Sequence, residues 1–131
     1  MRVFLDTDVL LDFALGREPH LAASTELMAW AARHPGQSAV APHTLANLND
    51  IGRGKAAGFI GDLLKFVEVP RTGREQMLAA LAMEFSDLED AMQVSAAILF
   101  GAQVIVTRNI RDYGKSPIKT MTTDEVLKVL V

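Results

Sequence analysis

The sequence predicts a single α/β domain in which a parallel sheet of four to five strands is flanked by helices on both faces. Short apolar runs of strand type alternate with longer helical segments along the chain, a pattern typical of a parallel sheet covered by helices. The chain has 131 residues, enough for one core and too few for two. Half of the residues are hydrophobic and 22% are charged, as in a compact globular protein. We therefore treat residues 1–131 as one domain.

Five short segments are strand candidates because they combine apolar and β-branched residues. They are residues 3–5, 38–41, 66–69, 103–106 and, as the weakest candidate, 118–121. Seven segments between and after them are predicted helices, at residues 9–15, 21–32, 42–51, 56–65, 74–83, 87–100 and 122–131.

The helix boundaries follow from local chemistry. Gly16 and Gly101 end two of the helices, and Pro42 stands where the first turn of a helix tolerates proline. Ser86, with Glu89 three residues later, predicts a capping box at the start of the helix that runs to residue 100.

Composition and charge exclude several classes of protein. There is no cysteine, which removes disulfides and thiolate metal sites and fits a reducing cytoplasm. The net charge is −3, so a bulk electrostatic grip on nucleic acid is not available. A local basic rim remains possible, because five cations cluster in sequence near acidic positions: Arg53, Lys55, Arg108, Arg111 and Lys115.

Neither a signal peptide nor a membrane span is expected. Asp6, Asp8 and Asp12 interrupt the first apolar run where a signal peptide would be continuous. The longest apolar stretch, residues 94–106, is broken by Gly101 and is shorter than the roughly 18–20 residues that a span needs. The sequence therefore predicts a soluble cytoplasmic protein.

Acidic and amide side chains are concentrated at the ends of elements that otherwise read as core. Four short stretches carry them: Asp6-Thr7-Asp8, Asp87-Leu88-Glu89-Asp90, the pair Asn109 and Asp112, and Asn47-Leu48-Asn49-Asp50. Asp6 and Thr107 each follow a predicted strand directly. Because the carboxyl ends of parallel strands share one edge of the sheet, these side chains are expected on one side of the molecule.

Each acid also has a plain structural explanation. Asp6 could cap the helix that follows it, Asp87 and Glu89 could simply favour a helix N-terminus, and Asp112 could form a surface ion pair. Asp90 is less well explained in this way, because it lies one turn into an apolar helix. The three histidines, His20, His34 and His43, stand in polar, turn-like contexts and are predicted to be surface residues.

If the carboxylates converge, they require compensation, because two at close range already raise one pKa. Mg²⁺ or Mn²⁺ relieves that repulsion, and these hard cations prefer oxygen ligands. Water bound to such an ion becomes more acidic and can attack a phosphodiester.

The chain resembles the PIN-domain family, metal-dependent ribonucleases that include the VapC-type toxins of bacterial toxin–antitoxin pairs. Three segments carry the resemblance, which spans nearly the whole chain: residues 3–12, 87–91 and 104–113. The resemblance implies that Asp6, Asp90 and Asp112 are catalytic and hold the metal, with Asp87 as a further ligand. Thr107 and Asn109 would orient the site, and Arg108 and Arg111 would bind RNA.

Two positions depart from the family pattern. Asp8 stands where asparagine is usual, and Asn47 takes the place of a glutamate in the helix after the second strand. A neutral oxygen at Asn47 would hold a metal more weakly. The resemblance also implies an RNA substrate, an antitoxin partner and a homodimer, for which the apolar helix 21–32 with Trp30 is one candidate surface.

Two other functions fit parts of the pattern. One is a catalytically weak or inactive PIN-like binding module, which the missing glutamate favours. The other is a phosphatase of the haloacid dehalogenase type, because Asp6-Thr7-Asp8 after an apolar strand also fits that class. Those enzymes place their strand-end threonine before the late acids, whereas Thr107 follows Asp87 and Asp90.

Overall fold

The computed structural model describes residues 1–130 and shows one α/β layer structure around a parallel sheet. Within those residues there are five strands: β1 (Val3–Leu5), β2 (Ser38–Ala39), β3 (Val67–Glu68), β4 (Val104–Val106) and β5 (Lys119–Met121). The helices there are α1 (Thr7–Ala14), α2 (Leu21–Arg33), α3 (Pro42–Ile51), α4 (Ala57–Leu63), α5 (Arg74–Ala82), α6 (Leu88–Phe100) and α7 (Thr123–Leu127). A short 3₁₀ helix, Ile110–Tyr113, follows β4. The predicted fold class is confirmed.

The sheet separates two hydrophobic cores. Val3 and Leu5 of β1 point into one core and Phe4 into the other, as the alternation of side chains along a strand requires. The first core receives side chains from α1, α2, α3, α4 and α7. The second is covered by α6, and α5 packs in turn on α6. Burial on both faces explains why β1 and β4 are continuous apolar runs.

The strand order places a topological switch point between β1 and β4. All neighbouring strands are parallel, and the order across the sheet is β3-β2-β1-β4-β5. The chain thus builds outward from β1 to β3 and then crosses to the other side of β1. In open parallel sheets a crevice forms at the carboxyl ends of the strands at such a point, and ligands bind there.

Some predicted boundaries differ from the structure. The strand predicted at residues 38–41 ends at Ala39, because its partner β3 is only two residues long and pairing stops at Glu68. The last helix was predicted for residues 122–131 but ends at Leu127, and residue 131 lies outside the described part of the chain. Thr122 caps this helix in a capping box with Glu125.

The predicted cap of α6 is wrong by one residue. Asp87, not Ser86, occupies the N-cap, and its Oδ1 accepts hydrogen bonds from the backbone N–H of Glu89 at 2.8 Å and of Asp90 at 3.3 Å. An ionised carboxylate satisfies two free N–H groups and also interacts favourably with the helix dipole. Gly101 ends α6 in the left-handed conformation, as predicted. Among residues 1–130, no helix is long and apolar enough to cross a membrane.

Candidate active site

An acidic cleft of about 400 Å³ lies at the carboxyl ends of β1 and β4. It is lined by Asp6, Thr7, Asp8, Leu11, Asn47, Asp50, Ile51, Asp87, Glu89, Asp90, Gln93, Asn109 and Asp112. The fold therefore brings together side chains from all four acidic stretches of the sequence. Three other predicted site residues, Thr107, Arg108 and Arg111, do not line this cleft.

Asp6 is held on both carboxylate oxygens at the floor of the cleft. Gln93 Nε2 donates to its Oδ1 at 2.7 Å, and Thr107 Oγ1 donates to its Oδ2 at 2.7 Å. Although Asp6 occupies the N-cap position of α1, its side chain makes no capping hydrogen bond. Burial raises the pKa of Asp6, and the two hydrogen bonds oppose that rise. Asp6 is thus a fixed carboxylate aimed across the sheet edge rather than a helix cap.

Thr107 and Asn109 form a short hydrogen-bonded relay beside Asp6. The Thr107 hydroxyl donates to Asp6 and accepts from the backbone N–H of Asn109 at 3.0 Å. The Asn109 side chain donates to Asp8 Oδ2 at 2.6 Å. A hydroxyl can donate once and accept as well, so both groups position the acids through defined contacts.

Asp90 lies one turn into α6 and is partly buried. Tyr113 donates its hydroxyl to Asp90 Oδ1 at 3.3 Å. Burial, followed by the charges of Asp87 and Asp6, raises the pKa of Asp90 to about 6. Desolvation and nearby like charge both disfavour the ionised form. At neutral pH Asp90 therefore carries a charge whose cost a nearby cation would remove.

Asp112 and Asn47 complete the rim from two further elements. Asp112 is exposed on the 3₁₀ helix after β4, and its charge contributes weakly to raising the pKa of Asp90. Asn47 lies on α3, which a hydrogen bond of 2.8 Å between the hydroxyls of Thr7 and Thr44 ties to α1. The neutral amide of Asn47 thus lies in the cleft among the acids.

The two arginines predicted to bind RNA have different surroundings. Arg108 Nε lies 2.8 Å from Asp12 Oδ2, and the Asp12 side chain is only 2% exposed. This is an ion-pair distance, although the N–H of Arg108 is not aimed for a hydrogen bond. Arg111 is exposed and forms no salt bridge with the part of the chain that the structure describes. Arg108 therefore neutralises a buried acid of α1.

Sequence reasoning missed the surroundings of four polar residues: Gln93, Tyr113, Asp12 and His43. Gln93, Tyr113 and Asp12 are buried polar groups, each of which contacts a partner distant in sequence. The isolated glutamine in the apolar run 91–97 was the one available signal. The prediction that His43 is a surface residue is wrong, because it is half-buried and its Nε2 is a buried atom without a hydrogen-bond partner. Burial lowers its pKa, and the charges of Glu89, Asp6 and Asp87 oppose that fall.

The donor groups fit a hard divalent cation. The cleft offers carboxylate and amide oxygens, which Mg²⁺ and Mn²⁺ prefer. Within residues 1–130, no three acidic or histidine side chains are close enough together to form a complete cage. Mg²⁺ does not need one, because it usually binds through one or two carboxylates and keeps several water ligands. Asp6 and Asp90 are the acids whose raised pKa values such an ion would relieve.

The fold and the cleft define an α/β domain with an oxygen-rich acidic site at its topological switch point. The sequence model of the PIN-domain family matches residues 2–111 of this chain. The chain therefore belongs to the PIN-domain family. This membership confirms the predicted resemblance and gives no support to the phosphatase alternative. A search of curated proteins gives no significant match.

Two solved structures share the fold. A toxin–antitoxin complex from Klebsiella pneumoniae superposes with a TM-score of 0.68 at 19% identity, covering 94% of this chain and 98% of that chain. VapBC2 from Rickettsia felis, bound to a DNA fragment from its promoter, gives a TM-score of 0.63 at 16% identity, covering 93% and 98%. At these identities the likeness establishes the fold.

Proposed function

We propose that this protein is a metal-dependent endoribonuclease and the toxin of a toxin–antitoxin pair. The observation that carries the proposal is the meeting of Asp6, Asp87, Asp90 and Asp112 in one cleft at the switch point of the sheet. Membership of the PIN-domain family and the fold shared with toxin–antitoxin structures support it.

The acids would divide the work of holding Mg²⁺ or Mn²⁺. Asp6, Asp90 and Asp112 are the proposed ligands, directly or through water bound to the ion, and Asp87 is a weaker one because its Oδ1 already caps α6. Asn47 contributes a neutral oxygen from α3. When bound, the cation makes water more acidic and stabilises the negative charge that develops on the phosphate.

Neighbouring groups keep the ligands in place. Gln93 and Thr107 fix the direction of the Asp6 carboxylate, and Tyr113 restrains Asp90. Donors on both oxygens of Asp6 also favour its ionised form, which is the form that binds a cation. The side-chain amide of Asn109 donates to Asp8. The carboxylate of Asp8, which adds a negative charge to the cleft, is therefore hydrogen-bonded.

RNA would approach from the exposed side of the cleft, and Arg111, which precedes the cleft residue Asp112 in sequence, would offer a charge for a phosphate. Arg108 is bound to Asp12 and its side chain is 31% exposed, so we assign it a smaller part in RNA binding. Since the net charge is −3, phosphate contacts must come from such local cations.

The partners proposed for this chain are an antitoxin and a second copy of itself. The likeness to a toxin–antitoxin complex supports the first. Trp30 gives no support to the second, because it is 6% exposed and belongs to the core beneath α2. The homodimer therefore depends on the family resemblance.

The decisive experiment compares RNA cleavage by purified wild-type protein with cleavage by Asp90→Asn. We expect manganese-dependent cleavage of a structured RNA that EDTA abolishes and that the variant lacks. The matched control is Asp62→Asn, because Asp62 lies on α4 with its side chain 76% exposed. This variant should cleave RNA as the wild-type protein does.

Cleavage that persists in Asp90→Asn would contradict the assignment of the site. If no cleavage occurs and Mn²⁺ does not raise the melting temperature, the inactive binding module is the better description. The neutral Asn47 in the cleft favours that second candidate.

A further inference from the structure

A second cavity, of about 380 Å³, lies beside the acidic cleft and has a different character. It is lined by Ala41, Pro42, His43, Thr72, Gly73, Arg74, Gln76, Met77, Met92 and Ala96. Its walls are mostly apolar, and a few polar groups stand among them. Small-ligand sites combine such walls with a few polar groups, and this volume falls at the lower end of their range of about 300–1,000 Å³.

Helix geometry places the cavity directly beside the cleft. On α6, Glu89 and Gln93 line the cleft, whereas Met92 and Ala96 line the cavity. The two residues within each pair are four positions apart and therefore lie on one face of the helix. The second pair begins three positions after the first, so the two pairs form adjacent stripes on α6. A molecule lying across α6 can therefore reach both spaces.

The N-terminal turn of α3 forms the other boundary between the two spaces. His43 lines the cavity and Asn47, one turn later on α3, lines the cleft. Residues four apart share a helix face. The charges of Glu89, Asp6 and Asp87 oppose the fall in the pKa of His43 that burial causes, in keeping with its place beside the cleft.

Two polar groups of the cavity match a nucleotide. His43 lines the cavity, and its buried Nε2 has no hydrogen-bond partner within the described chain, so a ligand group that reached this atom would satisfy it. Arg74 is exposed at the start of α5 and forms no salt bridge with any of residues 1–130. It is thus available to a phosphate, while the polarizable methionine sulfurs favour contact with an aromatic ring.

We propose that this cavity binds the nucleobase of a nucleotide adjacent to the phosphate that is cleaved. The proposal rests on the proposed function, since the RNA is the molecule that would span both spaces. The apolar walls of Met77 and Met92 enclose the faces of the base, His43 bonds an edge, and Arg74 pairs with the backbone phosphate. The same cavity would exclude a fully paired duplex, whose bases are stacked and cannot enter.

Methionine methyl NMR tests binding without any need for cleavage. The chain has six methionines, and Met77 and Met92 line the cavity while Met28 lies in the other core. We expect AMP, GMP, CMP or UMP to shift the methyl resonances of Met77 and Met92 by ring currents and to leave Met28 unchanged. Ribose 5-phosphate is the control and should not shift them.

Three outcomes of that titration would overturn the proposal. One is the absence of a shift with all four nucleotides, and another is an equal shift with ribose 5-phosphate. The third is a shift with N-acetyl-phenylalanine amide but with no nucleotide, which would assign the cavity to a peptide side chain. A nucleotide-specific shift in a protein that cleaves no RNA would support the cavity and refute the proposed function, so the two failures are distinguishable.

Abasic scanning of a cleaved RNA supplies the functional test. Removing one base near the scissile phosphate should reduce cleavage at least about fivefold, the equivalent of ~1 kcal/mol per stacked base. Met77→Trp, which fills the cavity, should reduce cleavage of the intact RNA and remove the penalty at that abasic position. Leu78→Trp, an exposed neighbour on α5, is the control and should keep the wild-type profile. An equal effect at every abasic position would contradict a base-binding cavity.

Discussion

At Asp90, partial burial and two neighbouring carboxylates act in the same direction on one proton. The pKa rises from the ordinary value of 3.8 to about 6, so the folded protein binds this proton more tightly than the unfolded chain does. By linkage, the free energy of unfolding then falls as the pH rises from about 4 to about 6, and the full penalty remains above that range.

Replacing Asp90 by Asn should therefore stabilise the protein in the absence of divalent cations at pH 7. The expected gain is about 1–2 kcal/mol, after allowance for solvent access to the carboxylate. At pH 4 it should vanish, because Asp90 is then protonated. Thermal unfolding of both proteins from pH 4 to pH 7 measures this gain. A stability difference that does not change with pH would contradict the assigned pKa.

Arg108 is expected to contribute to stability more than to RNA binding. Arg108→Ala leaves Asp12 buried without its cation, and removing one partner of a partly buried pair should cost about 2–4 kcal/mol. Arg111→Ala removes an exposed charge and should change stability by no more than about 0.5 kcal/mol. Urea unfolding of both variants gives the comparison. Adding Asp12→Asn to Arg108→Ala should restore part of the lost stability. A double variant that is no more stable than Arg108→Ala alone would argue against the ion pair.

The residues that could be predicted differ from those that could not by the range of their contacts. Asp6 could be identified because it directly follows a buried strand, which is a local signal. Gln93 holds Asp6 across 87 residues of chain, and nothing near position 93 encodes that partner. His43 was misjudged for the same reason, since it lines a cavity together with residues of α5 and α6 that are distant in sequence.

At the scale of elements, the start of α6 combines a structural role with a position in the acidic cleft. Asp87 caps the helix through Oδ1 and also lines the acidic cleft. Ser86 and Asp87 are both good capping residues, so the sequence alone could not decide between them. In the structure Asp87 is the N-cap, and its carboxylate accepts hydrogen bonds from two backbone N–H groups.

Asp87→Ala should destabilise the protein by ~1 kcal/mol relative to Asp87→Asn, because asparagine keeps the capping oxygen. The comparison removes the same charge in both variants, so the relief of repulsion on Asp90 cancels. Ser86→Ala should have almost no effect. Chemical denaturation at one pH measures all three, and a larger loss in Ser86→Ala than in Asp87→Ala would restore the predicted cap.

At the scale of the molecule, the fold was predictable and the details of its edges were not. Alternating strands and helices predicted the parallel sheet, and the positions of Asp6 and Thr107 directly after strands predicted the edge at which the acidic side chains lie. The lengths of β2 and β3 depend on mutual pairing of two-residue segments, which no local pattern determines. That the switch point falls between β1 and β4 follows from the order of all five strands.

A cation that binds the folded cleft should stabilise the entire domain. At a concentration of Mn²⁺ 100 times its Kd, the gain should be about 2.7 kcal/mol, seen as a higher melting temperature at pH 7.5. The increment should shrink at pH 5, because protons compete for Asp90. Asp62→Asn should keep the increment and Asp6→Asn should lose most of it. Equal increments in these two variants would place the bound ion elsewhere.

The central position of β1 has a consequence for biosynthesis. Asp6 is synthesised 101 residues before Thr107, one of its two fixed donors, which follows β4, and β4 pairs with β1. A nascent or prematurely terminated chain that lacks β4 cannot close the sheet around Asp6. The cleft therefore forms only after β4 has been synthesised, and a chain truncated before β4 lacks it.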